Sequence, residues 1–498
     1  MVALSKALTS HPNNNEKSRF HDAAIYLSIV SCFDLNSMLR VNQLNQSVLD
    51  QLAEFCSSIR VEELSTEVIE KAKLCIIDSL SASLTIGSTL EAQCALVLAD
   101  QEVDSSQIKG CATIFGTTRR VRPALAAMVN GITAAGTSRG DTHTATACHP
   151  GTIIIPAVLS LAESRLCSGK NIIESLVAGY EVMCRLGQAL ITPEFSTTFR
   201  PTGMLGPTAA AMAAGRVIGL NRNQLSNAAS LATHTASGFN EWTNSGTSEL
   251  AFHSGFAARS GIECVLLAQA GAISAQTILE GPAGLLNSFG VLSKVHLLTQ
   301  NLGRNYKLLE IVYKLAPACI FVQTPCQLAK RVLDQYQINY HDIAHINIHV
   351  SRTAAMYPGC DDAGPVLDPQ AAKLSMQFCV ASVFVAGGIF DANWRSFNDL
   401  HVRSIANNSK VFIDDLLTAH FPERQGCWIE VILKNGATLS AEQEDFISMS
   451  YGDVIDRYMI SAKAKLGEAN ANKVIELVDR LERLTDINKL MACLRPSD

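Results

Sequence analysis

The stretch at residues 138–150, SRGDTHTATACHP, gathers the side chains of this sequence that could do chemistry. It brings together Asp141, His143 and His149, with threonines between them. Because histidine titrates near neutral pH, either histidine could act as an acid or a base. Asp-x-His with a second histidine could instead bind a metal ion, and a polar loop that caps a helix is the third interpretation.

Apolar segments on both sides of this stretch have to position it. ALAAMVNGITAAG (124–136) precedes it and GTIIIPAVLSLAE (151–163) follows it, and both are rich in small aliphatic residues. Both predict buried helices, so the polar stretch interrupts packed structure. The helical pattern extends from about residue 48 to about 310; in STEVIEKAKLCIIDSLSASLTIG (65–87), the opening residues Ser65, Thr66 and Glu67 are the expected helix cap.

The pattern changes after about residue 310. HINIHV (345–350) alternates as a strand does, and Asn-Gly within CWIEVILKNGATLSAE (427–442) predicts a hairpin. Helix is predicted again for 374–390 and for the tail at 461–484. The prediction is a mainly α fold, a large all-helical domain with an inserted smaller α+β domain. Its divisions are an N-terminal extension (1–47), the helical domain (48–309 and 448–498) and the inserted domain (310–447).

Composition excludes several classes of function. Of the 498 residues, 48% are hydrophobic and 17% charged, and the net charge of −6 does not suit nucleic-acid binding. The 15 cysteines are scattered without a CxxC motif, which favours buried thiols in a reducing compartment. No apolar run is long enough to span a membrane. We expect an intracellular protein, most simply cytoplasmic, with a mitochondrial location as the alternative.

Five motifs occur in the order and spacing of the MmgE/PrpD family, and the resemblance extends from about residue 48 to the end of the chain. The sequence therefore resembles that family, which includes 2-methylcitrate dehydratase, cis-aconitate decarboxylase and iminodisuccinate epimerase. The motifs are NGITAAG…DTHTATACHPGTIIIPAVLSLAE, FRPTGMLGPTAAAMAAGRVIGL, HSGFAARSG, YKLAPACIFVQTP and SMQFCVASVFVAGGI.

The resemblance implies a homodimer in which the α+β domain is a lid over the helical domain. The active site would lie in the cleft between them, without a metal or an organic cofactor. The implied chemistry is the removal of a proton next to a carboxylate, followed by loss of water, loss of CO2 or reprotonation. Because the implied site uses no metal and this spacing matches no established metal signature, the metal interpretation becomes the weaker one.

The family's site maps onto this chain residue by residue. His149 matches the histidine of an HP motif and is the implied acid or base, with a helix-capping role as the alternative. Asp141 and Thr142 match the last two positions of a DDT motif, and Thr142 would donate to a substrate carboxylate. Lys314, in YKLAP, would reach across the cleft to the anionic substrate, with a solvated hinge lysine as the alternative. His143 has no firm counterpart in the family's pattern.

Three positions depart from the family's pattern. Ser138 stands where relatives commonly carry an acid, Arg200 where they have a second catalytic histidine, and Leu250 where they have a lysine. Arginine binds carboxylates but stays protonated, so Arg200 cannot replace a histidine that moves protons. The leucine suggests a less polar substrate than a tricarboxylate. The expected substrate-binding residues are Arg200, Arg139, His143, Ser138, Leu250 and His253.

Three functions follow as hypotheses. The first is a cofactor-independent lyase or isomerase acting on a carboxylic acid, with His149 moving the proton. The second is a repurposed family member, a cyclase or isomerase of a larger and more apolar carboxylate from secondary metabolism, in which Arg200 or Lys314 polarises the substrate. The third is a non-catalytic binding protein on an enzyme scaffold.

Overall fold

Helices dominate the structure, as the mainly α prediction requires. A computed structural model describes residues 46–102, 110–395 and 397–496. The α-helices are α1 (Val48–Ser58), α2 (Thr66–Ser83), α3 (Leu90–Asp100), α4 (Pro123–Gly136), α5 (Gly151–Arg165), α6 (Gly169–Leu190), α7 (Pro193–Thr198), α8 (Pro201–Val217), α9 (Arg222–Thr233), α10 (Trp242–Ser245), α11 (Leu250–Gln269), α12 (Leu285–Ser288), α13 (Gln323–Tyr336), α14 (Arg352–Met356), α15 (Pro369–Leu374), α16 (Met376–Ala386), α17 (Leu400–Asn408), α18 (Asp415–His420), α19 (Tyr451–Leu466), α20 (Glu468–Asp479) and α21 (Asn488–Cys493). The strands are β1 (Ala112–Thr113), β2 (Arg120–Val121), β3 (Thr142–His143), β4 (Ile311–Val312), β5 (Ile343–Val350), β6 (Lys410–Ile413), β7 (Cys427–Leu433) and β8 (Thr438–Gln443).

Small residues allow the helices of the first half to pack closely. Every residue of α8 is buried, and so is nearly all of α6. Gly261 of α11 faces α8 so closely that an added Cβ would stand 2.4 Å from the Ala210 Cβ. Since interiors are packed to the density of organic crystals, this contact leaves no room for a side chain. The Ala- and Gly-rich sequence of α8 therefore serves helix packing.

Two large hydrophobic cores and a smaller one lie in the described residues, and the smaller one is built on α3 and α4. The first contains buried residues of α1, α2, α5 to α9 and α11 and then those of α19 to α21, so the C-terminal helices return to the first core. The second contains residues of β5, β7, α13 and α16. Residues 48–498 nevertheless form a single unit, so the boundaries at 310 and 447 and the role of the inserted part as a lid stay predictions.

The second core is built on one four-stranded sheet with the order β6-β5-β7-β8. β5 contains the strand predicted at 345–350, and β7 and β8 form the predicted hairpin, in which Gly436 has a φ of +87°. β6 pairs in parallel with β5 after a helical crossover, and the sequence pattern did not indicate it.

The helix predicted for 374–390 is present as α16, which the Ser375 side chain caps and Gly387 ends, whereas the helix predicted for 461–484 is interrupted. Gly467, with a φ of +79°, separates α19 from α20 within the helix predicted for 461–484. The cap predicted at Ser65 is present, since its hydroxyl accepts a hydrogen bond from the Val68 N–H at 3.3 Å.

The N-terminal extension predicted for 1–47 lies outside the described residues, apart from its last two positions. None of the helices in the described ranges combines the length and apolar character of a bilayer span. The intracellular location stays a prediction.

Candidate active site

The polar stretch at 138–150 forms the connection between α4 and α5, as its apolar flanks predicted. Within it, β3 pairs antiparallel with β4, so that Thr142 lies opposite Val312 and His143 opposite Ile311. This short ladder brings Lys314, two residues beyond β4, to the same region. Residues far apart in the sequence are therefore held together by two backbone pairs.

A cavity with an empty volume of about 610 Å³, including the open solvent at its mouth, lies beside this connection. Five residues expected from the sequence line it, namely Ser138, His149, Arg200, Leu250 and Lys314. Its other lining residues are polar or small side chains and, for the most part, residues of the second hydrophobic core. They include Ala135, Gly140, Ala147, Thr152, Trp242, Ser254, Ala318, Cys319, Ile320, Phe321, Tyr357, Gln370, Lys373 and Leu374.

The His149 ring is held through its Nδ1 atom. Nδ1 lies 3.2 Å from the Asp141 carbonyl oxygen and 3.0 Å from the Thr142 hydroxyl, whose own proton is donated to the Gly140 carbonyl. A carbonyl oxygen can only accept, so this network places the ring proton on Nδ1. Nε2 then carries the lone pair, and no hydrogen bond engages it among the residues that the structure describes.

The surroundings of His149 keep the imidazole neutral. Burial lowers the pKa of His149 well below its usual value, and the nearby cations Lys314 and Arg200 lower it further. A neutral ring with a free Nε2 is a base that can accept one proton. Bound anions would offset the two cations, and the pKa of the ring would then rise toward the range that suits acid–base catalysis.

Asp141 serves the connection itself. Its carboxylate accepts hydrogen bonds from the Gly151 N–H at 2.7 Å and from the Tyr180 hydroxyl at 2.6 Å. Burial raises the pKa of Asp141, as does Asp78 nearby, while these two bonds oppose the increase. Asp141 thus contacts the first turn of α5 through its side chain and orients His149 through its backbone carbonyl. The structure places Asp141 behind the ring, outside the cavity wall.

Lys314 is an unpaired buried cation. Its side chain lies within the protein, and its one hydrogen bond among the described residues is to the Ala318 carbonyl at 3.3 Å. Burial lowers the pKa of Lys314 to about 7, and the neighbouring Arg200 and Arg457 act in the same direction. The solvated hinge lysine that the sequence left open does not fit this burial.

Arg200 occupies the start of α8. Its Nη1 donates to the Tyr357 hydroxyl at 2.9 Å, while Nε is buried without a partner. His253 lies close to Arg200, because both residues approach Gly238. A Cβ added to that glycine would stand 3.1 Å from the His253 Nδ1 and 3.3 Å from the Arg200 Cβ. Burial lowers the pKa of His253 to about 4. His253 is not part of the cavity wall.

Two other expected residues are engaged outside the cavity. Arg139 forms an ion pair with Asp391. His143 is buried, with Nδ1 2.9 Å from the Thr146 hydroxyl and Nε2 2.9 Å from a Glu310 carboxylate oxygen. Neither side chain reaches the cavity wall.

The metal interpretation requires Asp141, His143 and His149 to converge. Their side chains are instead engaged separately, by Gly151 and Tyr180, by Thr146 and Glu310, and by Thr142. In the described ranges, no group of three or more His, Cys, Asp or Glu side chains is arranged to hold a metal ion.

Several residues of the cavity wall were missed in the sequence. Tyr357, Gln370 and Lys373 lie in the second half of the chain, and no local pattern marks them. Cys319 is five residues from Lys314, and its Sγ lies 3.9 Å from that of Cys360. The hydrogen bond from Cys360 lowers the pKa of the Cys319 thiol, and Lys314 contributes to the decrease. Only position in the fold identifies these residues.

The cavity wall is cationic. Lys314, Arg200 and Lys373 all line it, and within the described part of the chain none of them forms an ion pair with a carboxylate. Burying cations without partners costs free energy, which an anionic ligand would recover through charge-assisted hydrogen bonds. The arrangement is suited to binding carboxylates beside a neutral histidine.

Comparisons with known proteins agree with this arrangement. The MmgE/PrpD N-terminal domain model matches residues 50–297, and the MmgE/PrpD C-terminal domain model matches residues 316–483. The chain is 22% identical over 473 residues to cis-aconitate decarboxylase of Aspergillus terreus, covering 90% of this chain and 96% of that protein. It is 25% identical over 477 residues to human cis-aconitate decarboxylase, covering 90% and 95% of the two chains. A cis-aconitate decarboxylase-like protein of Aspergillus oryzae is 23% identical over 486 residues, covering 90% and 97%.

Proposed function

Because the chain belongs to the MmgE/PrpD family, we propose that it is a cofactor-independent lyase or isomerase that moves a proton next to a carboxylate. The reaction is a dehydration, a decarboxylation or an epimerisation of a small carboxylic acid. The names of its relatives, cis-aconitate decarboxylases at 22 to 25% identity, support a lyase-type reaction. One observation carries the proposal, the neutral His149 with a free Nε2 beside unpaired cations.

The proposed chemistry assigns one step to each group. Lys314 and Arg200 hold a substrate carboxylate, and the Nε2 atom of His149 takes the proton from the adjacent carbon. The electron pair of the broken C–H bond moves into the carboxylate, where the two cations stabilise the enediolate. The intermediate then expels a β-hydroxyl group or is reprotonated. In a decarboxylation, CO2 leaves first, and a protonated side chain delivers a proton to the resulting carbanion.

Deuterium incorporation tests this proposal without knowledge of the natural substrate. We expect purified protein in D2O to exchange or convert at least one of cis-aconitate, 2-methylcitrate and related acids, as followed by NMR and mass spectrometry. The same incubation with a His149→Ala variant should leave the acids unchanged. Inertness of the folded wild-type protein toward every acid tested would contradict the proposal.

The pH profile of kcat/KM is expected to fall on the alkaline side. The pKa of Lys314 is lowered to about 7, so the cation that binds the carboxylate is present below pH 7 and is lost above it. The pKa of His149 is lowered, so the base stays neutral on the acid side well below pH 6.5. We expect a plateau near pH 6 and a roughly tenfold decrease per pH unit above about 7. A Lys314→Arg variant should lose this decrease above pH 7. If the variant keeps the same decrease, the decrease is caused by the titration of another group.

A second candidate function rests on the apolar part of the cavity wall. Trp242, Leu250, Phe321 and Leu374 line it together with the cations. These residues favour a larger, less polar carboxylate from secondary metabolism, which the protein would cyclise or isomerise by orienting it. In that case Arg200→Ala should reduce the rate more than His149→Ala does. If the wild-type protein binds carboxylic acids and converts none of them, the binding-protein hypothesis remains.

The homodimer implied by the resemblance is also a proposal. Leu90 and Val97 of α3 and Phe256 and Leu267 of α11 are large apolar residues with 47 to 68% of their surface exposed. A second copy of the chain would cover such residues. Light scattering after size-exclusion chromatography should give twice the chain mass, and a Phe256→Asp variant should shift the population toward monomer.

A further inference from the structure

We propose that Lys373 forms a second carboxylate-binding pole of the cavity, so that the substrate is a dicarboxylate bound by Lys314 and Arg200 at one end and by Lys373 at the other. This inference rests on the proposed function and adds the class of substrate to it. It concerns a residue that lies more than two hundred positions from His149 in the sequence.

Lys373 is a cation with room for a ligand. It lies on α15 and lines the cavity, and its Nζ donates to the Gly136 carbonyl at 3.0 Å. No carboxylate pairs with it in the described ranges. An ammonium group has three donors, so this single hydrogen bond leaves donors for a ligand. Burial lowers the pKa of Lys373 to about 8, which leaves it mostly protonated at neutral pH.

Neutral polar groups make the side-chain contacts beside this amine, while the carboxylates of Glu91 and Asp368 act on it from beyond ion-pair distance. Gln370 donates from Nε2 to the same Gly136 carbonyl at 3.2 Å, and its Oε1 accepts from the Ser138 hydroxyl at 3.3 Å. Both side chains line the cavity, and the second N–H of the Gln370 amide can donate to an anion. A carboxylate side chain at position 138 would pair with Lys373, whereas serine leaves the charge to a ligand.

The three cations are anchored at different places. Lys373 is held at the C-terminal end of α4, Lys314 at the Ala318 carbonyl and Arg200 at the Tyr357 hydroxyl. One carboxylate has two oxygens, which Lys314 and Arg200 together can occupy. A second anionic group on the same ligand is therefore the simplest partner for Lys373, because an unpaired buried charge is costly.

A purely structural role is the alternative. The Gly136 carbonyl belongs to the last turn of α4, and a lysine there stabilises the helix end by capping it. Capping predicts a loss of stability when Lys373 is replaced, without an effect on which acids bind. The two roles therefore differ in ligand selectivity.

Calorimetric titration of the full chain with succinate, glutarate, propionate and butyrate separates them. For Lys373→Met we expect the Kd of the two diacids to rise about 10- to 100-fold, while the Kd of the monoacids changes less than about twofold. Lys373→Arg should retain most of the preference for diacids. Ser138→Asp should weaken the diacids as Lys373→Met does, because its carboxylate occupies the pole.

The possible failures are distinguishable. If Lys373→Met lowers the Tm and leaves both Kd values unchanged, or weakens diacids and monoacids equally, the residue is a helix cap and the second pole is wrong. If the wild-type protein binds monoacids as well as diacids, the second pole is also wrong while the proposed function stands. If the wild-type protein binds no carboxylate at all, both proposals fail. A variant that does not fold is replaced by Lys373→Gln.

Discussion

Replacing His149 with alanine is expected to lower kcat/KM by about 10²- to 10⁴-fold. The ring is the proposed proton acceptor inside the cavity, because its Nδ1 is fixed by the Asp141 carbonyl and its pKa is kept low by burial and two cations. Substrate affinity should change far less, since the carboxylates are bound by Lys314 and Arg200. Steady-state kinetics with a converted acid, together with the Kd of a non-reactive analogue, measures both quantities.

The control for this variant is His349→Ala. His349 is a partly buried histidine of β5 that stacks on Trp428 of β7, with ring centroids 3.4 Å apart, and it takes no part in the cavity. Its loss should affect stability and leave kcat/KM within about twofold. An unchanged kcat in His149→Ala would show that another group holds the proton, and Lys314 and Cys319 would be tested next.

Lys314→Met is expected to abolish activity and to stabilise the protein. Removing the cation that holds the developing negative charge should cost about 10²- to 10³-fold in kcat/KM. The same ammonium group is buried without a carboxylate partner, and a hydrophobic side chain of similar length avoids its desolvation. We expect the free energy of unfolding to rise by about 1 to 4 kcal/mol at pH 7. Enzyme assays and thermal unfolding check the two effects on one sample.

The gain in stability should depend on pH in a defined direction. The pKa of Lys314 is about 7 in the folded protein against 10.5 for the free side chain, so between these values the unfolded chain binds more protons. The stability contributed by this group therefore rises with pH across that window. The advantage of Lys314→Met should accordingly be largest at or below pH 7 and decrease toward pH 10.

Lys330→Met provides the matched control. Lys330 lies on α13 with an exposed side chain that pairs with Asp334, so its replacement should change stability by less than about 0.5 kcal/mol and leave activity unchanged. If Lys314→Met is instead less stable than the wild type and retains activity, the lysine is structural and the cationic cavity has to be interpreted differently.

Local patterns predicted most of the fold. The small-residue helices on both sides of the connection at 138–150 are present, and the Ser65 cap and the hairpin at Asn435-Gly436 are present too. These signals depend on residues within a few positions of one another. The helix break at Gly467 was missed because apolar periodicity continues across it, and a positive φ interrupts the backbone alone.

The sequence by itself determined the family resemblance, the mainly α class and the polar connection that contains His149. The tertiary structure alone decided which charges meet. The pairing of β3 with β4 brings Lys314 to the connection, and the hydrogen bonds of Gln370 and Lys373 to Gly136 bring α15 to the end of α4. It also separated His143 and Arg139 from the cavity by giving them partners of their own. Helix caps and apolar periodicity depend on residues close together in the sequence. Whether a buried cation has a partner depends on how segments hundreds of residues apart pack together.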